Sequence, residues 1–287
     1  MSNKVLVNGV ETQQIAALDR GFLYGQTVFE TAVVEQGKVL LAKQHIERLT
    51  LGCKKLEIAC DFTALNKEIA HIIKGVELAV LRISISMGQG GRGYLNPSAD
   101  SLTTSRVLSL HAFPDHPKDF ISKGITLGLA DIRLGHQPAL AGIKHGNRLE
   151  QIIARSQWQD GWNEALLLDH QDSVIEATQS NVFVVNGKTL STPDLSNAGV
   201  AGVMRDFVLS HAKALGFNVQ IVPLSSHDLG EADAVFVTNS VIGLWPVAHF
   251  VRRDNEVKQT TDYNTNSFDV AHALLDLMRE HEAIPTR

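Results

Sequence analysis

Short apolar runs, most of them rich in β-branched residues and bounded by turn signals, recur along this chain and commit it to building sheet. VLVNG, AVLRISIS, RVLSLHAF, ITLGLADI, EALLLD, SVIEA, NVFVVN, NVQIVPL and AVFVTN are such runs. They are too short for buried helices and read as strands. Asn8-Gly9 closes the first, and Gln36-Gly37 inside VFETAVVEQGKVLLA marks a hairpin. Between them the apolar period changes. Ile46, Leu49, Cys53 and Leu56 follow helical spacing within 43–59. Further helices are expected over 63–73, 147–158, 202–215 and 267–282. No internal repeat is visible. The fold class is therefore mixed α/β (α+β). PDHPKD at 114–119 carries two prolines and three charges, so it reads as an exposed connector. It divides the chain into an N-terminal α/β domain (1–113), a connector (114–120) and a C-terminal domain (121–287).

Composition excludes several classes of function. Net charge is -5 with both signs interspersed, so there is no basic stripe to track a nucleic acid. No apolar run is long enough to span a bilayer. MSNKVLVNGVE lacks the apolar stretch and cleavage site of a signal peptide, which leads us to expect a cytoplasmic protein. Cys53 and Cys60 lie seven apart in a helix-like stretch and are expected on one face as buried thiols, without a CxxC pair. The twelve histidines show no HExxH or similar spacing, so no metal site is expected.

Several segments have the chemistry to hold an anion. Arg48 in HIERL offers a planar donor fork. NAGVAGVMR places small residues before a helix, where the amides of Val203 and Met204 would point at an oxyanion. Thr238, Asn239 and Ser240 end a strand. Arg92 sits in GQGGRG, which lacks the ending of a P-loop. Lys144 follows the apolar run LAGI, a setting that favours a neutral, nucleophilic amine. Each residue also has an ordinary structural reading: a surface ion pair, a helix cap, a strand-end turn, a mobile loop, or a lysine stem packed on the core.

The order HIERL, GGRGY, AGIKHGNRLEQ, EATQSNVF, GVMR and TNSVIGLWPV narrows these readings. It resembles the fold-type IV pyridoxal-phosphate (PLP) enzymes, which are like the D-amino-acid and branched-chain aminotransferases. Within them it resembles the aminodeoxychorismate lyases. The likeness runs over essentially the whole chain. It implies a two-domain fold whose C-terminal domain binds PLP. Lys144 would form the Schiff base and then act as general base. Glu176 would lie under the ring nitrogen. Arg48, Ser180, Asn181, Val203, Met204, Asn239 and Ser240 would complete the cofactor set. Phe29, Thr31 and Arg92 would lie near the substrate, 4-amino-4-deoxychorismate, which is converted to 4-aminobenzoate and pyruvate in folate biosynthesis. A homodimer is implied as well. Two departures stand out. Tyr24-Gly25-Gln26-Thr27 replaces the usual Phe-Gly-Asp-Gly, and Ser86-Met87-Gly88 stands where Ser-Arg-Gly is common. Two alternatives remain at this stage: an aminotransferase on the same fold, and a non-catalytic protein that binds an anionic metabolite.

Overall fold

A computed structural model describes residues 4–97, 103–254, 257–264 and 268–286. Ser98 of the glycine-rich segment and Ser267 of the expected last helix lie outside the described residues. The chain forms two compact units. One comprises Met1–Pro114 and Ile143–Asn147, the other Asp115–Gly142 and Arg148–Arg287.

The first unit contains, in order, β1 (Val5–Val7), β2 (Val10–Glu11), α1 (Arg20–Tyr24), β3 (Thr27–Glu35), β4 (Lys38–Val39), α2 (Ala42–Lys55), α3 (Phe62–Ile72), β5 (Leu78–Gln89) and β6 (Thr103–Ala112). The strands form one sheet in the order β2-β1-β6-β5-β3-β4. Every pairing in it is antiparallel. Alternate residues of β5, from Leu81 through Ile83 and Ile85 to Met87, pack with Leu49, Cys53, Leu65 and Ile72 of α2 and α3. α2 stops at Lys55, and Glu57 turns the chain with a positive φ of 57°. Cys60 therefore lies beyond the helix, not on the face of Cys53 as its spacing suggested. Cys53 is buried and Cys60 half-buried.

Residues 143–147 join this unit as a short addition to β3. Phe29 N–H donates to Lys144 O at 2.9 Å, and Gly146 N–H donates to Thr27 O at 2.8 Å. β5 occupies the other edge of β3, so Lys144 is held in β-register by main-chain bonds. Gly146 permits this approach: a Cβ there would stand 2.2 Å from Thr27 Cγ2.

The second unit contains α4 (Asp119–Lys123), β7 (Ile125–Leu134), α5 (Leu149–Ser156), β8 (Glu164–Asp169), β9 (Val174–Ala177), β10 (Asn181–Asn186), β11 (Thr189–Pro193), α6 (Val203–His211), β12 (Asn218–Val222), α7 (Ser226–Gly230), β13 (Ala234–Asn239), β14 (Gly243–Asp254), β15 (Val257–Asp262) and α8 (Asp269–Glu280). Its sheet runs β12-β11-β10-β13-β14-β7-β8-β9, with β15 beside β14. α4 begins at Asp119, inside the stretch expected to be a connector. Val182, Val184, Val235, Val237 and Phe250 share one core cluster. Ala165, Leu167 and Ile175 share another with Ala154 of α5.

Gly146→Ala should destabilise the protein by roughly 1–3 kcal/mol through overpacking. Adding Thr27→Ser removes the opposing methyl but keeps the hydroxyl that bonds Ile85 O at 2.9 Å. Thermal denaturation of the double variant should recover most of the loss. An unchanged Tm in Gly146→Ala would contradict the close approach.

Candidate active site

In the first unit, β3 turns Val28, Glu30, Ala32 and Val34 toward one face of the sheet and Phe29 and Thr31 toward the other. Glu30 is fully buried. Its carboxylate accepts from Arg48 Nε at 2.8 Å and Nη2 at 2.5 Å, while His45 Nδ1 lies 2.7 Å away. Burial alone would raise the Glu30 pKa. The charge and hydrogen bonds of Arg48, aided by His45, outweigh it and hold the group at about 2. Arg48, expected to meet an anion, is thus oriented by a buried one.

On the opposite face two side chains meet at the ring of Phe29. Lys144 Nζ lies 4.6 Å from the ring centre and Arg82 Cζ lies 4.0 Å from it. Arg82 is the cross-strand partner of Thr31. The structure therefore sets Lys144 and Arg82 at Phe29, with Thr31 across the strand pair from Arg82, a residue the sequence reading passed over. Met87, where the related sequences often have arginine, is buried in the apolar cluster beneath the opposite face. It has no part in this group.

Arg92 is exposed on its loop. The loop backbone is clamped by Arg20, which is 3% exposed. Its guanidinium donates to Gly93 O at 3.0 Å and to Gly90 O and Tyr94 O, both at 3.4 Å. Gln26, at one of the departures from the family pattern, accepts from Arg20 Nε at 2.6 Å and donates to Asn96 Oδ1 at 2.9 Å.

In the second unit a polar cluster surrounds Glu176, near the end of β9. Glu176 is 5% exposed and Oε2 accepts the Val200 N–H at 2.8 Å. Burial lowers the Arg148 pKa, and the charge of Glu176 offsets part of that. Asn181 Nδ2 donates to Val200 O at 2.9 Å. A Cβ on Gly202 would come within 2.0 Å of Asn181 Oδ1. Gly202 begins α6, and no side chain caps it. The amides of Val203 and Met204 therefore open the helix as expected. Asn181 is also the cross-strand partner of Thr238, whose Oγ1 is buried with no hydrogen-bond partner among the described residues. Asn239 is committed locally: Oδ1 accepts from Val241 and Ile242 N–H, and Nδ2 donates to Gln179 O. Ser240 follows it, half-buried. The hydroxyl of Ser180 donates to Glu164 at 2.9 Å.

The chain belongs to the amino-transferase class IV family, whose pattern matches residues 27–250. Among its relatives is an aminodeoxychorismate lyase of Vibrio harveyi, 36% identical over 88% of this chain and 93% of that protein. A putative branched-chain-amino-acid aminotransferase of Methanocaldococcus jannaschii is 30% identical over 85% of this chain and 86% of that one. The crystal structure of a 4-amino-4-deoxychorismate lyase from Pseudomonas aeruginosa superposes with a TM-score of 0.88 at 35% identity, covering 96% and 98% of the two chains. Among the described residues no helix is long and apolar enough to cross a membrane, and no group of His, Cys, Asp or Glu has the geometry for a metal ion.

The buried Glu30 pair should show in the acid limb of stability. Its pKa falls from 4.5 to about 2 on folding, so its contribution is present in full above pH 4.5 and is lost as pH drops toward 2. Such a lowering corresponds to about 3 kcal/mol. Glu30→Gln should lower Tm strongly at pH 6, and the gap from the wild type should narrow as pH falls to 3. A gap that stays constant would mean the carboxylate's charge is unimportant.

Proposed function

We propose that this chain is a PLP-dependent aminodeoxychorismate lyase, producing 4-aminobenzoate and pyruvate from 4-amino-4-deoxychorismate in folate biosynthesis. The observation that carries this reading is the meeting of Lys144 and Arg82 at Phe29, with Thr31 opposite Arg82, in a chain whose lyase relatives match it nearly end to end.

The residues fit the cofactor. The orphaned Thr238 hydroxyl lies at the strand end beside Asn181 and the uncapped start of α6, and this combination supplies donors for a phosphate. Val203 and Met204 would give their amides to it, and Arg48, Asn239 and Ser240 would complete the set. Glu176, fixed by Val200 N–H, would meet the ring nitrogen, with Ser180 and Asn181 in support. Lys144 would hold the cofactor covalently.

When bound, PLP supplies the electron sink for negative charge on the carbon that bears the substrate's amine. Lys144 Nζ takes the proton from that carbon. Departure of the enolpyruvyl oxygen then leaves the substrate ring aromatic, and aromatisation supplies much of the driving force. Arg82, with Arg92, holds the substrate's carboxylates, and Phe29 and Thr31 shape the surface against which it lies. Arginine suits this task because its fork matches a carboxylate.

A homodimer in the cytoplasm completes this reading. The exposed side chains of Phe22, Leu23, Tyr24, Tyr94 and Leu95 support it, since they offer apolar surface that a second copy would cover. Sedimentation at micromolar concentration tests the dimer, and a monomer would remove that part.

The deciding experiment supplies PLP-loaded protein with aminodeoxychorismate, and separately with alanine or leucine plus 2-oxoglutarate. Equimolar 4-aminobenzoate and pyruvate are expected. Glutamate formation without 4-aminobenzoate would make the chain an aminotransferase. Lys144→Ala should lose at least about 10²–10⁴ in rate, the usual contribution of a general base. Arg82→Ala should raise KM about tenfold or more, with kcat less affected, because it removes a charge-assisted contact. An unchanged KM would take Arg82 out of the substrate set.

A further inference from the structure

Glu164, the first residue of β8, is a carboxylic acid sealed in the second unit, and the mechanism above leaves it without a task. It is 1% exposed and forms no ion pair among the described residues. Its partners are hydrogen-bond donors from one short turn and its own strand. Oε1 accepts from the Thr178 hydroxyl and from Ala165 N–H at 3.0 Å, while Oε2 accepts from Ser180 Oγ at 2.9 Å. A carboxylate has about four lone-pair sites, and these three donors occupy most of them.

The turn held in this way joins β9 to β10. It is closed by Ala177 N–H donating to Ser180 O at 2.7 Å, and Thr178 N–H donates to Ala165 O at 3.0 Å. From Ser180 the connection continues through Asn181, whose amide fixes Val200 O at 2.9 Å. Val200 N–H then reaches Glu176 Oε2 at 2.8 Å. The turn also follows directly on Glu176 and Ala177. Glu176 is thus bounded on both sides by backbone that Glu164 organises: the turn after it along the chain, and the Val200 peptide across from it.

We propose that Glu164 is a positioning residue, which sets the orientation of the Glu176 carboxylate through the Thr178–Ser180 turn and the Asn181–Val200 link. The inference rests on the reading of Glu176 as the partner of the cofactor's ring nitrogen. Burial pushes the Glu164 acid up and the donors of the turn pull it back down, leaving it raised overall. The hub is therefore held by hydrogen bonds and not by a counter-ion.

The test uses full-length apoprotein titrated with PLP. It reads the visible absorption band of the bound cofactor, its Kd, and the Tm of the apoprotein. Glu164→Ala should shift the band in the same direction as Glu176→Gln and weaken PLP binding about tenfold, as expected for the loss of one charge-assisted hydrogen bond. Glu164→Gln, which keeps the volume and one acceptor, should recover part of that loss. A Glu164→Ala protein with the wild-type band and Kd but a lowered apo Tm would overturn the proposal, because the acid would then serve stability alone. Should Glu164→Ala fail to fold, Thr178→Val decides. It removes one donor to the hub, and an unmoved band and Kd would overturn the proposal equally. Glu176→Gln separates the two ideas. If its band and Kd match the wild type, the reading of Glu176 itself fails. If they change while those of Glu164→Ala and Thr178→Val do not, only the role of Glu164 fails.

Discussion

A strand turns successive side chains to opposite faces, and β3 has very different work on its two sides. Val28, Ala32 and Val34 seal against the helices, but Glu30 lies in the same row and brings a charge into the core. A buried carboxylate is tolerable only with excellent partners. His45 and Arg48 supply them from positions three apart on α2, so both project from one side of that helix. The pairing locks the rotation of α2 against the sheet. It also fixes what the other row presents, because the backbone that seats Glu30 seats Phe29 and Thr31 as well. Lys144 is then registered on β3 by two main-chain bonds, which no side-chain substitution removes directly.

The second unit places its carboxylate largely through hydrogen bonds. Main-chain N–H groups and short polar side chains carry the load from Glu164 to Val200, and Glu176 takes its place from peptide geometry. Such a network is rigid when every member is satisfied. Thr238, opposite Asn181 on β13, is the conspicuous exception beside it, a buried hydroxyl without a partner among the described residues. An unsatisfied buried hydroxyl costs stability, and it is tolerated most readily where a ligand completes it.

The regular strands were legible because their β-branched runs are short and bounded by turns. β11, β14 and β15 were not. TLSTP, GLWPVAHFVRRD and VKQTTD mix polar residues and proline into the pattern, and their pairing is settled by neighbours remote in sequence. Lys144 and Glu176 stood out through the wording around them. Arg82 did not, because an arginine inside AVLRISIS looks like an ordinary outward-facing residue. Only the register of β5 on β3 sets it opposite Thr31 and over Phe29. Glu164 reads as an unremarkable strand-start carboxylate until the fold closes over it. Gln26 was visible as a departure from the family pattern, yet its partners Arg20 and Asn96 are joined to it only by the folded loop. The cysteines misled because sequence spacing cannot reveal that a helix stops at Lys55 and the chain reverses.

The Arg20 clamp gives the glycine-rich loop an unexpected character. Gly90, Gly91 and Gly93 all have positive φ, and a free segment of this composition would sample many backbone states. Ordering such residues costs about 1–2 kcal/mol each. Because Arg20 grips the carbonyls of Gly90, Gly93 and Tyr94, that entropy is lost when the chain folds rather than when a ligand arrives. An anion meeting Arg92 then has only one side chain to immobilise, at about 0.5–1.5 kcal/mol. The glycines supply the unusual path of the loop, and a buried guanidinium removes the floppiness they would otherwise bring.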